Sequence, residues 1–279
     1  MLLDTLFIDK VFRITGGLFM SFFNFYTLST SEQLDLFFSD NGLLDLGVLR
    51  EAMIEKRAPI SNDGRLNGEG FIGSNILVRD KTNVIESYCA SQSSLGYFNE
   101  ARLVNDNWTT ERIQHRYYSK SFTIISEQSD LILKFDSSSE ENAKSKVKSL
   151  IEDLGVEATT FRIDDALLRE IQENFNWTAA KLDKIERFGD STKRVSYEID
   201  PADDQFPSQV NEDYKEHGKM SHITFELPYS APGAPNTVTV KLYSQGHRIV
   251  ISEEELGGSS EEEFILYLHS VLKTLKEGG

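Results

Sequence analysis

Four segments near the C-terminus constrain the fold most: "RVSYEID", "SHITFELPY", "TVTVKLY" and "HRIVIS", between Arg194 and Ser252. In each, apolar and polar residues alternate or β-branched residues dominate. A period of two places one set of side chains on a buried face and the other on an open one. Such strands pair antiparallel, because an antiparallel sheet tolerates one wet face. The last two are joined by "SQG", a short hairpin turn. Ser259 with Glu262, or Ser260 with Glu263, caps a final helix whose apolar face carries Phe264, Leu268, Val271, Leu272 and Leu275.

The earlier chain reads as a mixture. "FFNFYTL", "NILVRD", "NVIESYCA", "SFTIIS", "DLILKFD" and "ATTFRID" have strand character. Helices are predicted through "SEQLDLFFS", "LLDLGVLREAMIEKR", "TERIQHRYY", "ENAKSKVKSLIEDLG", "DALLREIQENF" and "AAKLDKIERFG", most with a capping residue in front. Residues 91–107 carry no clear pattern. Each of two Asn-Trp-Thr tripeptides, at Asn107 and Asn176, precedes a predicted helix, then strands, then a capped helix. That order suggests two related β-β-α units. The expected class is therefore α+β, antiparallel sheets covered by helices. The expected division is an N-terminal α+β region over 1–155 and a C-terminal domain over 156–279 with a four-stranded antiparallel sheet.

A net charge of −16 over 279 residues repels nucleic-acid phosphates at long range and favours basic partners. The single cysteine, Cys89, excludes an intrachain disulfide and a Cys-rich zinc site, and its apolar setting marks a buried structural thiol. The first 28 residues are apolar, but Asp4, Asp9, Lys10 and Arg13 interrupt them. No signal-peptide pattern follows, and no window reaches the roughly 20 apolar residues of a spanning helix. This stretch reads as an amphipathic segment folded onto the core, and the expected compartment is the cytoplasm.

The glycine-rich stretch "DGRLNGEGFIGSN", Asp63 to Asn75, contains a literal G-x-G-x-x-G. A phosphate cradle needs a strand before it and a helix after it. Here a loop precedes and a strand follows. Arg65 and Ser74 stand where a calcium loop needs acidic ligands. The stretch is expected to be a contact loop or hinge.

Three candidate sites remain. His217, His222 and Glu226 are one, with His222 and Glu226 on the same strand face, as ligands of a hydrolytic metal. Arg112, His115, Arg116, Tyr117 and Lys120 are another, basic residues among aromatics that suit nucleic acid. The acidic runs Glu253, Glu254, Glu255 and Glu261, Glu262, Glu263 would meet a basic partner. No G-x-S-x-G or H-E-x-x-H motif is present, and no cofactor is implied. The chain is therefore expected to be a protein-interaction module rather than an enzyme: an accessory, regulatory or inhibitory subunit, with self-association open to it. Immunity proteins and subunits of bacterial defence systems have this physical profile. The alternatives are nucleic-acid binding through residues 112–120 and metal-dependent hydrolysis around His217 and His222.

Overall fold

Antiparallel pairing dominates the computed structural model of the chain, which describes residues 20–30, 37–39, 41–73, 77–79, 83–198 and 209–278. The predicted N-terminal amphipathic segment and most of the helix predicted at "SEQLDLFFS" lie outside the described residues. Two compact units emerge, one spanning residues 22–161 and the other built on residues 162–279.

In the first unit the strands are β1 (Met20–Thr30), β2 (Gly70–Phe71), β3 (Leu77–Arg79), β4 (Val84–Val104), β5 (Asn107–Ser126), β6 (Asp130–Phe135) and β7 (Val156–Thr160). Their order is β2-β4-β5-β6-β1, with β3 also on β4 and β7 also on β1. Short helices α1 (Leu46–Glu55), α2 (Ser138–Glu141) and α3 (Lys144–Glu152) complete it. Asp45 caps α1 by accepting from the amides of Gly47 and Val48. Leu49 and Met53 of α1 and Val147 and Ile151 of α3 are fully buried with Ile85, Cys89, Ile125, Leu131 and Leu133 of the sheet. Burial pushes the Cys89 thiol up to about 12, so it stays a protonated core residue at neutral pH.

In the second unit β8 (Trp177–Asp183), β9 (Arg194–Glu198), β10 (Lys219–Pro228), β11 (Thr237–Tyr243) and β12 (Arg248–Ser252) pair in the order β12-β11-β10-β8-β9. Helix α4 (Asp165–Asn174) packs on β10 and on α6 (Glu261–Gly278), and α5 (Gln209–Tyr214) is a short turn of helix before β10. Ile223, Phe225 and Leu227 alternate into the core, as the strand pattern requires, and Phe264, Leu268 and Leu272 of α6 are buried.

The expected class is corrected. The chain is mostly antiparallel sheet with few helices, not sheets covered by helices in two repeated units. Two segments account for most of the difference. "TERIQHRYY" lies inside β5, and the first half of "AAKLDKIERFG" forms β8. Both follow an Asn-Trp-Thr tripeptide, so the helices on which the repeat rested are strands. The alanines and lysines of β8 favour helix on propensity alone. Pairing on both edges, to β9 and β10, overrides that preference.

Candidate functional site

The longest pairing in the chain is between β4 and β5, which stay in register from Val84 with Ser126 to Val104 with Asn107. Asn105 and Asp106 close the hairpin, both at positive φ (50° and 60°), as a two-residue type I′ turn demands. Asn and Asp tolerate that region better than other side-chain-bearing residues. A bulge at Leu95 lets Gly96 pair with His115 one step beyond Ser94 with Arg116.

The two halves of this ribbon differ in kind. At its base, β3 and β2 flank β4 and β6 flanks β5, the last only over Phe122–Ile125. Beyond that, from Leu95 to Tyr118, neither strand has a further partner strand among the described residues. Among the described residues, eight of the thirteen exposed large apolar or aromatic side chains fall in these 24 positions, which makes this segment an exposed apolar surface. Trp108 is 73% exposed and Leu103, its cross-strand neighbour, 68%.

Alternation sorts the ribbon's charges by face. Tyr97, Asn99, Ala101 and Leu103 of β4 share a face with Trp108, Thr110, Arg112, Gln114, Arg116, Tyr118 and Lys120 of β5. None of these is acidic. The guanidinium of Arg112 lies 4.9 Å from the ring centroid of Tyr97. Arg116 donates to Gln92 at 3.0 Å and to Gln114 at 3.3 Å, and Gln114 donates to Ser94 at 3.2 Å. Neither Arg112 nor Arg116 has a carboxylate partner among the described residues. Lys120 does: it sits 3.0 Å from Asp136, whose hydrogen bond and charge outweigh partial burial and raise the ammonium above its ordinary value.

The opposite face carries Glu100 and Glu111, the two acids that the strands hold between Leu95 and Tyr118. Arg102 meets Glu111 at 3.2 Å, and His115 meets Glu100 at 3.2 Å while its ring stands edge-on to Phe98. Ile113 and Tyr117 lie on this face too. The predicted basic–aromatic set is thus divided. Arg112, Arg116 and Lys120 stand together, and His115 and Tyr117 point the other way. Sequence reading missed Tyr97, Leu103 and Trp108, which join the arginines from across the ribbon.

The glycine-rich stretch braces the ribbon where it leaves the sheet. The Gly68 amide donates to the Tyr118 hydroxyl at 3.0 Å, and that hydroxyl donates to the Leu66 carbonyl at 3.1 Å. Gln92 donates from its side chain to the same hydroxyl at 2.8 Å and from its backbone to Glu69 at 2.7 Å. Lys146 of α3 bonds the Gln92 carbonyl and lies 3.5 Å from Glu69.

The other candidate residues are placed differently. His222 lies between Lys181 of β8 and Tyr243 of β11 and stacks on the Tyr243 ring at 4.4 Å. Burial, then Lys241 and Lys181, push its imidazole down to about 4. His217 lines an open cleft of mixed charge, with Arg169, Lys184, Lys215 and Lys219 beside Asp165, Glu186 and Glu216. Glu226 donates its backbone amide to the Asn176 carbonyl. Among the described residues no group of three His, Cys, Asp or Glu side chains could hold a metal ion. The acidic runs have local work. Glu255 accepts from Thr239 and Glu262 from Ser260, and Glu261, Glu262 and Glu263 occupy the first turn of α6, where the helix dipole favours negative charge. Among the described residues no helix is long and apolar enough to cross a membrane. A scan against protein-family models and a search of curated proteins give no match to the chain.

Proposed function

We propose that this chain is an interaction protein that docks a protein partner through the outer half of the β4–β5 ribbon. The observation that carries the reading is a two-stranded ribbon that, from Leu95 to Tyr118, no described element covers on either face or pairs on either edge, with aromatic and aliphatic side chains on each face. An isolated hairpin is marginal in water, and bare strand edges invite pairing. Contiguous exposed apolar surface of this kind is characteristic of docking sites. Charge agrees: residues 91–118 contain three acids and three arginines, a neutral segment on a chain of net charge −16. Interface cores are depleted of net charge and enriched in Trp, Tyr and Arg.

The test is a variant in which residues 94–116 are replaced by a two-residue Asn-Gly turn between the paired Ser93 and Tyr117, which keeps the register of the base. Native chain and variant are compared in affinity purification from the cell of origin. The expected result is a stoichiometric protein partner with the native chain alone, with the ribbon amides protected from hydrogen exchange in the complex. Equal recovery with both chains contradicts the reading.

One observation favours a second reading, a nucleic-acid strand lying across the arginine face. The sorting of Arg112 and Arg116 with Tyr97, Trp108 and Tyr118 provides stacking and positive charge together. No binding to single- or double-stranded oligonucleotides at about 50 mM salt removes it.

A further inference from the structure

The ribbon's open edge and its sorted charges together specify what it takes, on the reading that it is the docking site. β6 runs beside β5 only as far as the pair Phe122 with Lys134. Helix α2 packs against β5 where β6 ends, with Asp136 and Glu140 beside Lys120; past it, no described strand pairs with β5 in the lane along Tyr118, Arg116, Gln114, Arg112, Thr110 and Trp108. The corresponding lane beside β4 is obstructed at its base, where Glu69 accepts the Gln92 amide. An extended segment entering the β5 lane would hydrogen-bond to the backbone as an added strand. Its side chains would then alternate between the ribbon's two faces. Every second one would lie beside Arg112 and Arg116, neither of which meets a carboxylate among the described residues. The others would lie beside Glu111, Ile113, His115 and Tyr117, with Glu111 already paired to Arg102 and His115 to Glu100.

We infer that the β5 edge from Trp108 to Tyr118 takes an extended acidic segment of a partner protein as an added strand, with its carboxylates alternating onto the Arg112–Arg116 face. Cross-strand pairs of opposite charge stabilise a sheet, and like charges destabilise it, so this acid-free face locally reverses the preference for basic partners that the net charge of −16 sets. A polyphosphate strand is the weaker match. Among the described residues this face offers only two guanidiniums without a carboxylate partner, and phosphate-driven affinity grows with the number of phosphates neutralised.

The experiment titrates the full chain with a twelve-residue peptide of three Glu-Ile-Glu-Thr repeats, the same peptide with Lys for Glu, and a 20-nucleotide oligothymidylate. The Glu peptide is expected to bind, more weakly as salt rises, with β5 amides gaining exchange protection. R112E/R116E is expected to lower that affinity about tenfold, R112K/R116K to retain most of it, and the Lys peptide not to bind. Matching thermal melts confirm that both variants fold. Failure of the Glu peptide to bind, equal binding by R112E/R116E, or tighter binding of the oligonucleotide each overturns the inference. If ribbon truncation abolishes partner recovery while R112E/R116E leaves it intact, docking through the ribbon stands and its acid selectivity falls.

Discussion

Tyr118 on β5 and Gly68 in the glycine-rich loop are fifty residues apart in sequence and joined by a 3.0 Å hydrogen bond from the Gly68 amide to the tyrosine hydroxyl. That hydroxyl also serves Gln92 and Leu66, so one side chain ties the loop to both strands of the ribbon where pairing support ends. Tyr118→Phe removes all three bonds and keeps the ring. The expected cost is about 1 kcal/mol of stability, because the site is exposed and water replaces part of the loss. Amides of residues 64–70 are expected to exchange faster, as read by hydrogen-exchange mass spectrometry. Unchanged exchange there contradicts the bracing role.

Glycines in this loop fall into two classes. At Gly70 φ is +141°, and an added Cβ would stand 2.4 Å from the Lys56 carbonyl oxygen and 2.7 Å from the Ala58 nitrogen. Those are backbone atoms with no freedom to retreat. Gly64 also has positive φ, at +83°, but its Cβ would meet nothing within 4 Å. Gly70→Ala is expected to cost about 3 kcal/mol or more, and Gly64→Ala about 1 kcal/mol. Urea denaturation of the two variants checks the ranking.

The ribbon separates stability from recognition along its length. Ile125, at the base, is fully buried, and Ile125→Ala is expected to cost about 2–4 kcal/mol. Trp108→Ser and Leu103→Ser, at the bare end, are expected to shift stability by no more than about 0.5 kcal/mol. The same two substitutions are expected to abolish partner recovery. A large drop in stability for Trp108→Ser would mean that the side chain is already covered within the chain.

His222 makes a pH prediction. Its folded pKa is depressed to about 4 from 6.5, by burial and by Lys241 and Lys181. Between these two values the unfolded chain binds a proton there and the folded chain does not. Stability from this group is therefore fully present above about pH 6.5 and is lost progressively as pH falls toward 4. His222→Gln is expected to flatten that part of the stability profile. An NMR titration of the His222 ring with a midpoint near 6.5 contradicts the assignment.

Segments with one buried face were legible in the sequence. "SHITFELPY" and "TVTVKLY" alternate because Ile223, Phe225 and Leu227, and Val238, Val240 and Leu242, lie on the face packed into the core. Asp164 and Ser260 announce their helices by capping them; Ser137 caps only the short α2, and α3 starts anew without a side-chain cap. The outer ribbon was not legible, for the reason that makes it a site. With both faces in water, residues 91–118 have no inside or outside to alternate between, so period two carries no hydropathy signal. Ile113 and Tyr117 fall four apart behind a threonine and imitate a capped helix. One local signal was available: Asn105-Asp106 between Leu103-Val104 and Trp108 is a two-residue hairpin turn without the usual glycine. Reading the following segment at period two from Trp108 gives Trp-Thr-Arg-Gln-Arg-Tyr-Lys, the acid-free face itself.

Site-specific photocrosslinking tests the central claim most directly. A benzoyl-phenylalanine at position 103 or 108, introduced in the cell of origin, is compared with one at 188, where Phe188 is fully exposed in the other unit. The account predicts a discrete protein adduct from 103 and 108 and none from 188. No adduct from either ribbon position, or the same adduct from all three, would contradict it.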